Sequence, residues 1–297
     1  NLKKARHQKL SKFKDFSSFK ISIEDTEKFR EAVEFFSPNI IIHLAAQAGV
    51  RYSLENPRAY LDSNISGTFN VLEVARSLQV RHLLIASTSS VYGSNTQIPF
   101  DENQRTDTPL TFYAATKKAN EVMAHSYAHL WGLPITMMRF FTVYGPWGRP
   151  DMALFKFTKG ILEGSPIDLY NNGKMWRDFT FVEDVTWAIY LLKDVVPQKS
   201  TEDRKIYPAD SLSPVAPFRV VNIGNSKKVK LMDFVLAIEK TLGKKAICNF
   251  MKIQKGDVPL TWANVSLLKS LTGYKPRTGV EKGVGEFLHW YREYFNV

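Results

Sequence analysis

Two patterns in this chain have the residue types and spacing for acid–base chemistry on an alcohol. Leu83-Leu-Ile-Ala-Ser-Thr-Ser-Ser-Val-Tyr-Gly93 is an apolar run ending in hydroxyls, and Tyr113-Ala-Ala-Thr-Lys117 comes after it at the distance of one βα unit. To oxidise a secondary alcohol, an enzyme must take the hydroxyl proton while hydride leaves the carbon. A tyrosine, whose pKa is ordinarily about 10, serves as that base near neutral pH only if the value is lowered, most simply by a nearby ammonium. Positions i and i+4 share a helix face, which would set Lys117 beside Tyr113. The spacing alone fits a solvated helix face as well. A second instance, Tyr170-Asn-Asn-Gly-Lys174, is set aside because Asn-Asn-Gly is turn chemistry that breaks helical geometry.

The elements around these residues alternate. Residues 24–36 have helical spacing, Ser37-Pro38-Asn39 breaks the chain, and Ile40 to Ala45 reads as a short buried strand. Asn64 to Leu78 predicts a helix, Arg81 to Ala86 a strand, 106–131 a long helix, and Pro134 to Phe140 a further strand. Strands alternating with helices imply parallel βαβ units and a doubly wound α/β sheet, with ligands at the carboxyl ends of the strands. Ala45-Ala46-Gln47, Thr88-Ser89-Ser90 and Phe141-Thr142-Val143 fall at those ends. Beyond residue 142 the chain is punctuated by Gly and Pro, at 144–150, at Asn171-Asn172-Gly173 and over the Pro-rich stretch 195–218, with one more strand at Arg219 to Ile223.

The net charge of +11 arises from 40 basic and 29 acidic residues, which raises nucleic acid as a partner. The basic residues are scattered or flank helices, as at Lys227, Lys228 and Lys230, with no aromatic-interleaved run. A solvated surface that attracts a small anionic substrate accounts for the charge more simply. No apolar stretch is long enough to predict a membrane span, and the basic start has no hydrophobic region behind it. Cys248 stands alone, so neither an internal disulfide nor a cysteine-rich metal site is expected, and a reducing cytoplasmic setting fits. The sequons at Asn64 and Asn264 then read as chance. His43 ends an apolar strand and reads as a packed histidine; no acidic or histidine partners at metal spacing accompany it, so no metal is expected.

Several segments together resemble extended short-chain dehydrogenases/reductases of the NAD-dependent epimerase/dehydratase family, in its nucleotide-sugar epimerase branch. They are His43 to Ser53, Ser87 to Gly93, Tyr113 to Lys117, Arg139 to Ala153 and Arg177 to Asp184, and the resemblance runs over essentially the whole chain. It implies a Rossmann-like doubly wound sheet with a smaller C-terminal α/β substrate region: residues 1–142 binding NAD, 178–224 partly returning to that domain, and 143–177 with 225–297 binding a nucleotide sugar. It implies Tyr113 as the base, with Lys117 lowering its pKa and holding the nicotinamide ribose, and Thr88, Ser89 and Ser90 hydrogen-bonding the reacting oxygen. Leu44, Ala45, Ala46, Gln47 and Asn64 would line the cofactor. Arg177 would meet the diphosphate, Thr142 and Arg149 the sugar carboxylate, with Arg51 and Asp257 also among the substrate-binding residues. A guanidinium fork suits a carboxylate, and Gly-Arg-Pro presents Arg149 on a loop, although an exposed loop arginine needs no ligand. Arg177 reads as lying between a turn and a helical stretch, where a surface ion pair would be ordinary.

The branch begins with oxidation at C4, and the residues flanking the ketone decide its fate. Sugar dehydratases carry an Asp-Glu pair after the active-site Thr, whereas this chain has Ser89 and Ser90, which disfavours water loss. The expected activity is therefore C4 epimerisation of a UDP-sugar, most closely UDP-glucuronate to UDP-galacturonate. Alternatives are another UDP-hexose, UDP-glucuronate decarboxylation, or a non-catalytic relative that binds RNA or protein. The family's opening strand and Gly-x-x-Gly-x-x-Gly turn have no counterpart here, and the segment from Asn1 resembles the stretch just after the family's second strand. About forty residues of the Rossmann domain are therefore expected to be missing, with NAD bound poorly. Ser22 stands where relatives place an Asp near the adenine. A homodimer is expected through a four-helix bundle of segments 66–79 and 108–130.

Overall fold

The computed structural model describes residues 2–199 and 210–297; the remainder of the Pro-rich stretch 195–218 lies outside them, as does that part of 178–224. Helices α1 (Leu2–Leu10) and α2 (Thr26–Phe36) precede β1 (Ile40–His43), and short helices α3 (Tyr52–Glu55) and α4 (Pro57–Tyr60) lead into a π-helical turn, Leu61–Ser66. Then come α5 (Gly67–Ser77), β2 (His82–Thr88), α6 (Phe112–Trp131), β3 (Ile135–Phe140) and β4 (Thr142–Tyr144). The chain continues through α7 (Ala153–Glu163), β5 (Ile167–Leu169), β6 (Trp176–Phe181), α8 (Val182–Leu192), β7 (Phe218–Ile223) and β8 (Lys228–Lys230). It ends with α9 (Leu231–Leu242), β9 (Cys248–Phe250), α10 (Ser266–Thr272) and α11 (Val280–Phe295). Among the described residues no helix is long and apolar enough to cross a membrane.

The main sheet is parallel throughout, in the order β1-β2-β3-β7. Its strands are apolar on both faces, as a covered parallel sheet requires. Leu83, Ile85, Ile135, Met137, Phe218 and Val220 pack with α5 and α6 side chains such as Leu72, Ala124 and Ala128. The alternate residues Leu84, Met138, Val221 and Ile223 face α8 and α10 through Ala188, Leu192, Leu267 and Leu268. A second core gathers Phe155, Phe179, Phe181, Phe234, Ile238, Phe287 and Trp290 from α7, β6, α9 and α11. There β6 pairs parallel with β4 and antiparallel with β8.

Two expectations shift. The helix expected over 106–131 begins only at Phe112, because Thr111 is extended and its side chain accepts the Ala114 amide as an N-cap. Arg177 does lie between a turn and a helix, but within a strand that was not foreseen, β6, which sends Phe179 and Phe181 into the second core and runs directly into α8. The discarded Tyr170-Asn-Asn-Gly motif is indeed a tight turn, with Asn171 and Asn172 at positive φ.

Beneath the sheet's carboxyl end lies a buried ion pair. Arg139 of β3 donates from Nε and Nη2 to the two oxygens of Glu121 on α6, each at 2.8 Å, with both side chains 3% exposed. Burial raises the Glu121 carboxyl, but the Arg139 charge and hydrogen bonds outweigh it and leave the group below its usual range. Arg139→Met should cost about 3–5 kcal/mol by leaving the glutamate without its main partner, and Arg139→Met combined with Glu121→Met should regain most of it. Chemical denaturation of both proteins checks this.

Glu102 is a second buried carboxyl, accepting the Asn222 amide at 2.8 Å, and burial pushes it from 4.5 up to about 7. The folded state therefore binds more protons than the unfolded one between those two values, and this group's contribution to stability falls as pH rises through that window. Glu102→Gln removes the dependence. The thermal midpoint of the wild type relative to Glu102→Gln should fall from pH 4.5 to 7, and a flat difference would refute the assignment.

Candidate active site

Three consecutive residues at the end of β2 are tied to successive turns of α6. The Lys117 ammonium donates to the Ala86 carbonyl at 2.8 Å, the Ser87 hydroxyl donates to Glu121 at 2.7 Å, and the Thr88 side chain lies near enough to Tyr113 to favour its phenolate. The helix spacing of Tyr113, Lys117 and Glu121 puts all three on the face that meets the strand. Thr88 then caps a short turn, accepting the Ser90 amide at 3.2 Å and donating to the Ser90 hydroxyl at 3.3 Å. That turn closes at Gly93, where φ is +55° and a Cβ would lie 2.0 Å from the Thr108 carbonyl oxygen, so no side chain is accommodated.

Tyr113 is half-buried and packs edge-on against Tyr60, with ring centroids 6.0 Å apart. Burial pushes its phenol up, while the Thr88 hydrogen bond and the Arg149 charge pull it down. The net direction is upward, burial outweighing both, and Lys117 stands one turn along the same helix face. Lys117, buried beneath the strand end, is itself pushed down to about 8 by that burial. His43 is packed as expected: its Nε2 meets the Thr68 hydroxyl at 3.0 Å, and burial, with the Lys117 charge, holds the ring neutral, near 3.

The loop after β1 is held by Asn64, which is fully buried in the π-helical turn. Its Oδ1 accepts the Gln47 amide at 2.9 Å, and its Nδ2 donates to the Gln47 carbonyl at 3.1 Å and to Thr116 at 3.0 Å. Asn64 thereby fixes the loop on which Leu44 and Ala45 are exposed and Ala46 is partly so. Ser22 donates to Glu24.

A cleft of about 820 Å³ brings together Gln47, Arg51, Thr142, Arg149, Arg177 and Asp257. Arg149 reaches into it from the 144–150 loop, forking onto Asp151 at 3.0 and 2.6 Å and donating to the Ala48 carbonyl at 3.3 Å. Arg51 stacks on the Tyr170 ring, 4.0 Å from its centroid, and pairs with Asp257 at 3.3 Å. Arg177 is half-buried and donates to the carbonyl of Trp176 at 2.9 Å; burial lowers its pKa, a sign that its charge is short of partners. Tyr60, Tyr170 and Asp151 were not legible as site residues. Tyr60 and Tyr170 meet their partners only through the fold, but Asp151 lies two places from Arg149 and could have been flagged as its ion-pair partner.

Residues 2–203 match the description of the NAD dependent epimerase/dehydratase family. The chain belongs to that family. It is 52% identical over 293 residues to a probable UDP-glucuronate 4-epimerase of Rhizobium meliloti (strain 1021), covering 98% of this chain and 85% of that one. It is 45% identical to UDP-glucuronate 4-epimerase 4 of Arabidopsis thaliana over 92% of this chain and 62% of that one. Among solved structures, UDP-glucuronic acid 4-epimerase from Bacillus cereus, in complex with UDP-glucuronic acid and NAD, superposes with a TM-score of 0.86 at 28% identity, covering 99% of this chain and 87% of the other. In this member of the family the hydroxyl cluster, tyrosine and lysine stand at the carboxyl end of the parallel sheet.

Proposed function

We propose that this protein interconverts UDP-glucuronate and UDP-galacturonate by epimerisation at C4, with NAD as its cofactor. The observation that carries the reading is the cleft itself, onto which the Arg149 guanidinium opens together with Thr142, Arg51 and Arg177. Cations for a C6 carboxylate and for a diphosphate thus line one cleft.

The residues present fit NAD. Exposed Leu44 and Ala45 and partly exposed Ala46, at the carboxyl end of β1, leave room for a flat ring. Lys117 spends one ammonium donor on Ala86 and holds two more for a ribose. When bound, NAD supplies the acceptor and donor of hydride. Tyr113 accepts the C4 hydroxyl proton as that carbon is oxidised, Thr88 holds the oxygen, and Ser90 continues the hydroxyl chain behind Thr88. The ketone turns in the cleft, its other face is reduced, and Tyr113 returns the proton. Arg177 and Arg51 meet the diphosphate, with Asp257 orienting Arg51.

The 4-keto acid is a β-keto acid and loses carbon dioxide unless its carboxylate is held away from the cleavage geometry. Arg149, with Thr142 at the head of β4, provides that hold. The net charge of +11 favours capture of the anionic substrate, and the single cysteine fits a cytoplasmic setting. Exposed Phe69 on α5, with Val122 and Leu130 on α6, supports a homodimer through these helices.

Purified protein supplied with NAD should form UDP-galacturonate from UDP-glucuronate, read by chromatography. Tyr113→Phe should lower kcat by about 10²–10⁴-fold with KM little changed; unaltered turnover would sink the mechanism. Arg149→His should raise KM and release carbon dioxide from UDP-glucuronate, which a coupled assay detects. A variant that loses turnover without any carbon dioxide would count against the carboxylate hold.

A further inference from the structure

We propose that Asp151 is the carboxylate Arg149 holds whenever it does not hold the sugar's, and that exchange between the two sets selectivity for a C6 carboxylate. The inference rests on the reaction proposed above. Asp151 lines the same cleft as Arg149 and takes its guanidinium in a two-point fork, Nε to Oδ1 at 3.0 Å and Nη2 to Oδ2 at 2.6 Å. Nη2 also donates to the Ala48 carbonyl at 3.3 Å. A guanidinium has five N–H donors, one on Nε and two on each terminal nitrogen. These contacts consume the Nε donor and both Nη2 donors, leaving only Nη1. Each edge able to grip a carboxylate in two parallel bonds includes Nη2, so a second carboxylate is gripped only after one of these contacts is released.

Asp151 is the partner that matches the ligand. It is a carboxylate in the same bidentate geometry, and its pair with Arg149 is 44% and 54% exposed, so the pair is weak enough to be displaced. A sugar with a neutral C6 hydroxymethyl gains nothing by competing, whereas a carboxylate replaces like with like.

The test uses Asp151→Asn, which keeps the shape and loses the charge, with Asp151→Ala beside it, both saturated with NAD. Calorimetry with UDP-glucuronate and with UDP-glucose separates the carboxylate from the rest of the ligand. UDP-glucuronate should bind about two- to fivefold more tightly in both variants, and UDP-glucose should be unchanged. Weaker UDP-glucuronate binding would show that Asp151 instead preorganises Arg149 and would overturn the inference. So would an equal gain for both sugars, which is what a general loss of negative charge produces. If the wild type binds UDP-glucuronate in preference to UDP-glucose without epimerising it, and Asp151→Asn widens that preference, the reaction is wrong and the exchange at Arg149 stands.

Discussion

The buried pairing of Glu121 with Arg139 is the interaction on which the geometry of the site depends. Arg139 extends from β3, Glu121 from α6, and Ser87 of β2 donates to the same carboxylate, so one ionic contact joins two adjacent strands to the helix that crosses them. Hydrophobic packing holds α6 on the sheet but tolerates small slides along the groove. Directional bonds to a charged, water-excluded carboxylate do not. Lys117 and Tyr113 stand one and two turns from this anchor, which fixes the height of the phenol over Thr88.

Around that frame two cations stand in different settings. Lys117 lies beneath the strand end, spending a hydrogen bond on Ala86, and its charge is one reason His43 stays neutral. A protonated His43 there would put a second cation behind the cofactor face with no counter-ion. Arg149 lies on the cleft side, on a loop, and its charge opposes the effect of burial on the Tyr113 phenol without outweighing it.

Much of this was readable in the residues, and the part that was not has a common cause. The sheet strands and the Tyr113–Lys117 helix face come from local periodicity, which survives in one dimension. Thr111 shows where it was overextended: Thr106 to Thr111 holds Pro109 and three β-branched threonines, poor helix formers, and the Thr111 hydroxyl caps the helix so that it begins at Phe112. Asn64 is a failure of another kind. Its role is to bind the backbone of Gln47 and the side chain of Thr116 at once, a three-way contact between segments distant in sequence. The π-helical turn that aims it carries no spacing signature. The strand that carries Arg177 was missed because it is short and follows closely on the Asn-Asn-Gly turn.

Arg149 ties recognition to the loop that carries it. With its fork on Asp151 it is part of a neutral pair, and with its fork on a ligand carboxylate it is again part of a neutral pair, so exchange moves the fork without stranding a charge. Both partners of the resident pair are about half exposed, which keeps it weak enough to yield. The short spacing between Arg149 and Asp151 therefore has a chemical reason beyond surface neutralisation: the counter-ion travels with the loop that carries the arginine.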